Sequence, residues 1–224
     1  MRFPDQASKD GALSNGALMR IAPAALLDDD QERERVVRQD TALTNPNDEC
    51  LDAGSVLVKC LRQAVLKEGA DEPRSAVRQV LLERVGITCA PVANAIRQGL
   101  CGTVVDVRKN KGRVVNALAL APHCALNKRT FAETTHFVIS QGGDTDTNAS
   151  IAGNLMGAIL GRRAMESENT TARNITTVLR ARQTNRKGLA RPREYTPEAY
   201  LRACEGVHAC EEEKGRCVSG RSVF

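Results

Sequence analysis

The chain has 224 residues, a formal net charge of +5 and 42% hydrophobic residues, which suits one soluble globular domain with a real core. Aromatics are 3% and Trp is absent, so the core must rest on Leu, Val, Ile and Ala, a bias that favours helices over strands. The mild basic excess is dispersed and excludes a nucleic-acid-binding signature; the enriched stretch Arg180–Arg193 reads as a solvated loop.

Met1–Asp10 is polar and is expected to be a frayed start, followed by a domain over residues 11–210 and a disordered tail over 211–224. Asn15-Gly16 is a turn pair, and Leu18–Leu27 is expected to be a short helix with Pro23 near its first turn. Gln31–Leu43 is charged and helical in pattern, and Thr44-Asn45-Pro46-Asn47 forms a loop because proline holds the preceding residue extended. Asp48–Lys67 carries Val56, Leu57, Cys60, Leu61, Ala64 and Val65 at helical spacing. Pro73 opens a second helix, and Pro91–Gln98 is a short third one. Gly99–Gly112 is irregular and basic, with Thr103–Val107 as a candidate strand. Arg113–Leu126 reads as helix, interrupted or bent near Pro122. Thr130 and Glu133 form a capping box for a helix to Ser140. Thr147–Gly161 is helical, with Gly153, Gly157 and Gly161 as a stripe for close helix packing. A last helix is expected from Thr196. The fold class is therefore all-α.

Eight cysteines show no C-x-x-C spacing, so neither zinc nor dithiol chemistry is supported. With no export signal and no apolar run of about 20 residues, the expectation is a cytoplasmic protein with reduced thiols, no membrane contact and a monomeric state.

The stretch richest in chemistry is Gly142-Gly143-Asp144-Thr145-Asp146-Thr147-Asn148. It places two carboxylates and a hydroxyl where a helix begins, an oxygen set that suits a hard cation such as Mg2+. The same residues also read as a helix cap, since the dipole stabilises carboxylates there without a metal. An EF-hand is excluded, because its sixth position is Ala149 and its twelfth is Leu155.

This loop, continued by Ile151-Ala152-Gly153, is similar to the C-terminal metal motif of ADP-ribosylglycohydrolases, a family that includes dinitrogenase reductase-activating glycohydrolase. Ser14-Asn15-Gly16-Ala17-Leu18-Met19-Arg20 resembles the family's N-G-x-x-M-R segment, Leu43-Thr44-Asn45-Pro46 its L-T-H-P loop, and Arg191–Tyr195 a stretch near the C-terminus of some members. The resemblance implies a compact helical bundle and a Mg2+-dependent hydrolase that removes ADP-ribose from modified protein side chains or related conjugates. By the same resemblance Asp144 and Asp146 are catalytic, and Asp144, Asp146 and Thr147 bind metal. Asn15, Gly16, Met19, Arg20, Asn45, Gly142 and Gly143 bind the substrate, an ADP-ribose or an ADP-ribosylated protein. The family's other metal motifs, G-D-x-x-G and T-D-D-T, are not in this sequence, so at most half of a two-Mg2+ site is visible. The chain is thus similar to an N-terminally truncated member, and the alternative is a catalytically weak or inactive homologue. Asn45 stands where the family has His and cannot carry a proton. His123, His136 and His208 lie in no motif.

Overall fold

The computed structural model describes residues 13–66, 72–83, 86–103, 106–128 and 130–168. The chain falls into two compact units, Met1–Ile159 and Leu160–Phe224. Of the second, residues 160–168 are described. The helix from Thr196, the tail and Arg191–Tyr195 lie outside the described residues.

The described residues form eight α-helices and no β-strand beyond one isolated bridge. Helix α1 is Gly16–Arg20, and a 3-10 helix follows at Ala22–Leu26. The expected single helix over Leu18–Leu27 is thus two short pieces, divided at Ile21 with Pro23 in the first turn of the second. Helix α2 is Asp30–Thr44, capped by the Asp29 side chain, which accepts from the Glu32 amide at 2.6 Å. Helix α3, Asp48–Leu66, is the central element; buried Cys50, Ala53, Leu57, Cys60, Leu61 and Ala64 line its apolar face. Helix α4 is Glu72–Glu83 and α5 is Ala90–Cys101. The N-terminus of α5 is tied to α3 by Asp52, which is buried and accepts from the amides of Thr88 (2.9 Å) and Cys89 (3.0 Å) and from the Thr88 hydroxyl (3.1 Å). Those amides would otherwise lack partners, so a buried carboxylate is satisfied and a helix start is capped at once.

Helix α6, Val114–Asn127, runs through Pro122 without ending there. Its packing against α5 supplies a reason: a Cβ on Gly99 would come within 3.0 Å of both the Ala119 carbonyl oxygen and Pro122 Cβ. The two helices therefore meet backbone to backbone, and tertiary contact outweighs proline's local cost. Helix α7 is Phe131–Gln141, with both arms of the Thr130–Glu133 capping box formed. Helix α8 is Thr145–Glu168, broken at Gly161 (φ 72°, ψ 163°). Of the glycine stripe, Gly153 makes room for the Phe131 ring of α7, which a Cβ would meet at 3.3 Å.

One contiguous cluster runs from Leu18 through α3, α5 and α6 to Leu155 and Ile159. Val107, the end of the candidate strand, is buried in a turn instead; Val104 and Val105 lie outside the described residues. No described helix is long and apolar enough to cross a membrane.

Candidate functional site

Three loops meet where the fold's sequence motifs converge: the entry to α1, the turn Val107–Gly112 before α6, and the entry to α8. The first two are joined as short extended segments. Ser14 and Arg113 form an antiparallel bridge, the Asn15 amide donates to the Gly112 carbonyl at 2.8 Å, and the Val114 amide donates to the Leu13 carbonyl at 2.9 Å.

Asn15 then reaches the third loop. Its side-chain amide donates to Asp144 Oδ2 at 3.0 Å and to Asn148 Oδ1 at 3.1 Å. Both of its N–H groups are thereby engaged, and Asn15 and Asn148 are buried. The structure thus joins two motifs 129 residues apart through one amide. Asp144 is half-buried, caps the start of α8 and accepts from the Asn148 amide through its carbonyl at 3.0 Å. Asp146 is exposed, in the first turn of α8. A hydrogen bond with the Asp144 carboxyl, then those from the Thr147 and Asp146 amides, hold the Asp146 carboxyl below its ordinary range. Thr147 lies half-buried beside it.

The glycines of the loop are steric requirements. Gly143 (φ 78°) passes so close to Val107 that a Cβ would lie 2.4 Å from that residue's carbonyl oxygen. Gly142 (φ 75°) lies under Arg108, whose Nε a Cβ would meet at 3.2 Å.

The remaining candidate residues surround this centre less directly. Gly16 follows Asn15 at the start of α1. Asn45 is buried and holds the Asn15 segment from behind: its Nδ2 donates to Ser14 Oγ at 2.9 Å and to the Ser14 carbonyl at 3.3 Å, while its Oδ1 accepts from the Thr44 hydroxyl at 2.7 Å. Arg20 is engaged with α2, donating to Asp40 Oδ2 (2.9 Å), the Asp40 carbonyl (2.7 Å) and Thr44 Oγ1 (3.0 Å). Met19 is exposed.

Asn148 belongs to the loop singled out in the sequence, although its contact with Asn15 is not legible there. One neighbour of Asp144 escapes a reading of the sequence: Gly112 (φ 74°), where a Cβ would stand 3.2 Å from Asp144 Oδ2. Next to it, Arg113 pairs with buried Glu49 through two hydrogen bonds of 3.1 and 2.9 Å. Asn110-Lys111-Gly112 carries a turn signature, but nothing local says which loop that turn will touch.

The donors here are oxygens alone, and one carboxylate is oriented by a buried amide. That chemistry fits a hard divalent cation, with water completing the shell. Among the described residues, no three His, Cys, Asp or Glu side chains cluster as a metal site. A cavity of about 640 Å3 lies elsewhere, between α2, α3 and α4, beside Glu34, Ser55 and Lys59. It is remote from these loops in sequence and carries none of their residues.

No curated protein matches the chain. A solved structure described as an ADP-ribosylglycohydrolase-related protein complex is 27% identical with a TM-score of 0.56, over 69% of this chain and 52% of that one. The chain thus spans about half the length of that structure. The ADP-ribosylglycohydrolase family model matches residues 2–193, a span that contains all three loops, and the chain belongs to the ADP-ribosylglycohydrolase family.

Proposed function

We propose that the chain binds ADP-ribose conjugates at the three-loop site and hydrolyses the bond between ribose and the modified group, with Mg2+ held by Asp144, Asp146 and Thr147. The observation that carries this reading is the Asn15 amide, which bonds the N-G-x-x-M-R segment to the G-G-D-T-D-T loop. Cleavage at an anomeric carbon develops positive charge on the sugar, so anionic groups beside the ribose lower the barrier. When bound, the cation orients ribose hydroxyls and lowers the pKa of water. The chain's own part is preorganisation. Asn15, itself held by Asn148, fixes the direction of the Asp144 carboxylate, and the Asp146 carboxyl beside it is held below the usual carboxylate range. Asn45 supports Ser14 and through it the Asn15 turn, but as an amide it transfers no proton.

A second reading, binding with little turnover, is favoured by the size of the ligand set. Two carboxylates, each binding through one oxygen, and one hydroxyl fill half of the six oxygen positions Mg2+ takes. One assay separates the readings: release of ADP-ribose from modified arginine and serine peptides, with and without Mg2+. Turnover that needs Mg2+ and is lost in Asp146→Ala establishes the hydrolase. Binding of ADP-ribose without release establishes the weak homologue, and absence of both removes the ADP-ribose reading.

A further inference from the structure

We propose that the turn Val107–Gly112 is a wall of this site and presents Arg108 to the diphosphate of the substrate; this rests on the ADP-ribose reading above. The turn has the character of a built platform. Asn116 of α6 donates to the carbonyls of Lys109 (3.1 Å) and Asn110 (3.2 Å), the Arg113 amide donates to the Asn110 carbonyl (3.1 Å), and the Arg108 amide to Asp106 Oδ1 (3.2 Å). Val107 is buried, and Asn110 adopts a left-handed conformation (φ 52°), which asparagine tolerates better than most residues with a side chain. The platform is pressed onto the carboxylate loop at both ends, Val107 against Gly143 and Gly112 against Asp144.

Four cations lie on residues 108–113, and two of them are already engaged. Arg113 pairs with Glu49, and Lys109 lies 3.8 Å from Asp106. Arg108 differs from both. Its Nε donates to the Gln141 carbonyl at 3.2 Å, and its stem lies across Gly142, two residues before Asp144. Among the described residues it makes no ion pair, so its two terminal nitrogens keep their donors for a ligand. A guanidinium anchored at one edge offers a planar fork that matches phosphate oxygens, and little freedom is lost on binding. The position also answers an electrostatic need. A diphosphate brought beside Asp144 and Asp146 is repelled, and a fixed cation over the same loop offsets that repulsion.

A rival role for Arg108 is to cap the last carbonyls of α7, which Nε alone achieves. Calorimetric titration with ADP-ribose, and separately with inorganic pyrophosphate in buffer without divalent cations, distinguishes the two roles. In Arg108→Ala both affinities should fall roughly tenfold or more, and the salt dependence of binding should flatten. Arg108→Lys, which keeps the charge and loses the fork, should fall between the two, and thermal unfolding confirms that each variant is folded. Equal affinities in wild type and Arg108→Ala overturn the proposal and leave the ADP-ribose reading standing. Pyrophosphate binding that depends on Arg108, without ADP-ribose binding, supports the anion subsite and removes the ADP-ribose reading. A wild type that binds neither ligand overturns both.

Discussion

Gly143 shows how little room the site leaves at the scale of single residues. Its φ of 78° disfavours any side chain, and the Val107 carbonyl oxygen stands 2.4 Å from where a Cβ would go. Gly143→Ala should therefore cost about 1–3 kcal/mol from backbone conformation alone, with the clash in addition. Urea unfolding checks the stability, and the Mg2+ affinity of the variant checks the site. Because the clash separates the turn from the carboxylate loop, affinity should fall even where the variant remains folded. The glycine pair and the two aspartates were legible in the sequence because they are contiguous, and contiguity is what a motif records. Gly112 and Asn148 were not legible as a pair of contacts for Asp144 and Asn15. Gly112 meets Asp144 across more than 30 residues of chain, and Asn148 meets Asn15 across 133. Such contacts come from the meeting of the segments that enter α1, α6 and α8, which no local pattern encodes.

The helices divide in the same way between what is local and what is not. The Thr130–Glu133 box is satisfied within four residues and forms as its sequence dictates. Pro122 is the opposite case, since its local cost argues for a break and the helix continues because α5 holds it. The division at Ile21 is not legible in the sequence for a related reason: Leu18–Leu27 has the composition of one helix, and nothing local marks the change to 3-10 geometry. The pairing of α6 with α7 carries a pH dependence. His123 stacks on Phe137 with ring centroids 4.9 Å apart, and Lys128 lies 4.3 Å over the same ring. Burial, then the nearby Lys128 charge, push the imidazole below its ordinary 6.5. The unfolded chain then binds the proton more readily than the folded one. The stability contributed here is complete above pH 6.5 and falls as pH drops through the depressed folded value. Urea midpoints at pH 7.5 and 5.5 should separate more in the wild type than in His123→Gln. Equal separations would show that this imidazole does not govern the acid response.

On the scale of the whole molecule, the question is whether the first unit unfolds as one body. Its core is a single cluster in which α3 packs against the 3-10 helix and helices α1, α2, α4, α5 and α6. Three thiols report on that core from two elements. Cys50 and Cys60 lie on α3 and Cys124 on α6, all buried, whereas Cys101 at the end of α5 is exposed. Burial pushes Cys60 and Cys124 up to about 12 and Cys50 to about 11. The thiolate is the reactive form, so these three are protected twice, by access and by protonation. Alkylation of the native protein, mapped by peptide mass, should modify Cys101 within the time that leaves Cys60 and Cys124 untouched. Raising urea should then expose Cys60 and Cys124 together, with one midpoint, because removing either helix from the cluster leaves the apolar face of the other in water. Cys50 belongs to the same helix but also contacts the site, its thiol lying 3.8 Å from the Ser14 carbonyl. If the three-loop site opens locally before the core does, Cys50 reacts at lower urea than Cys60. A common midpoint for all three would instead mean that the Asn15 turn and the central helix come apart in the same step. Either order measures how firmly the site is tied to the fold that positions it. Reaction of Cys124 well before Cys60 would contradict the single core.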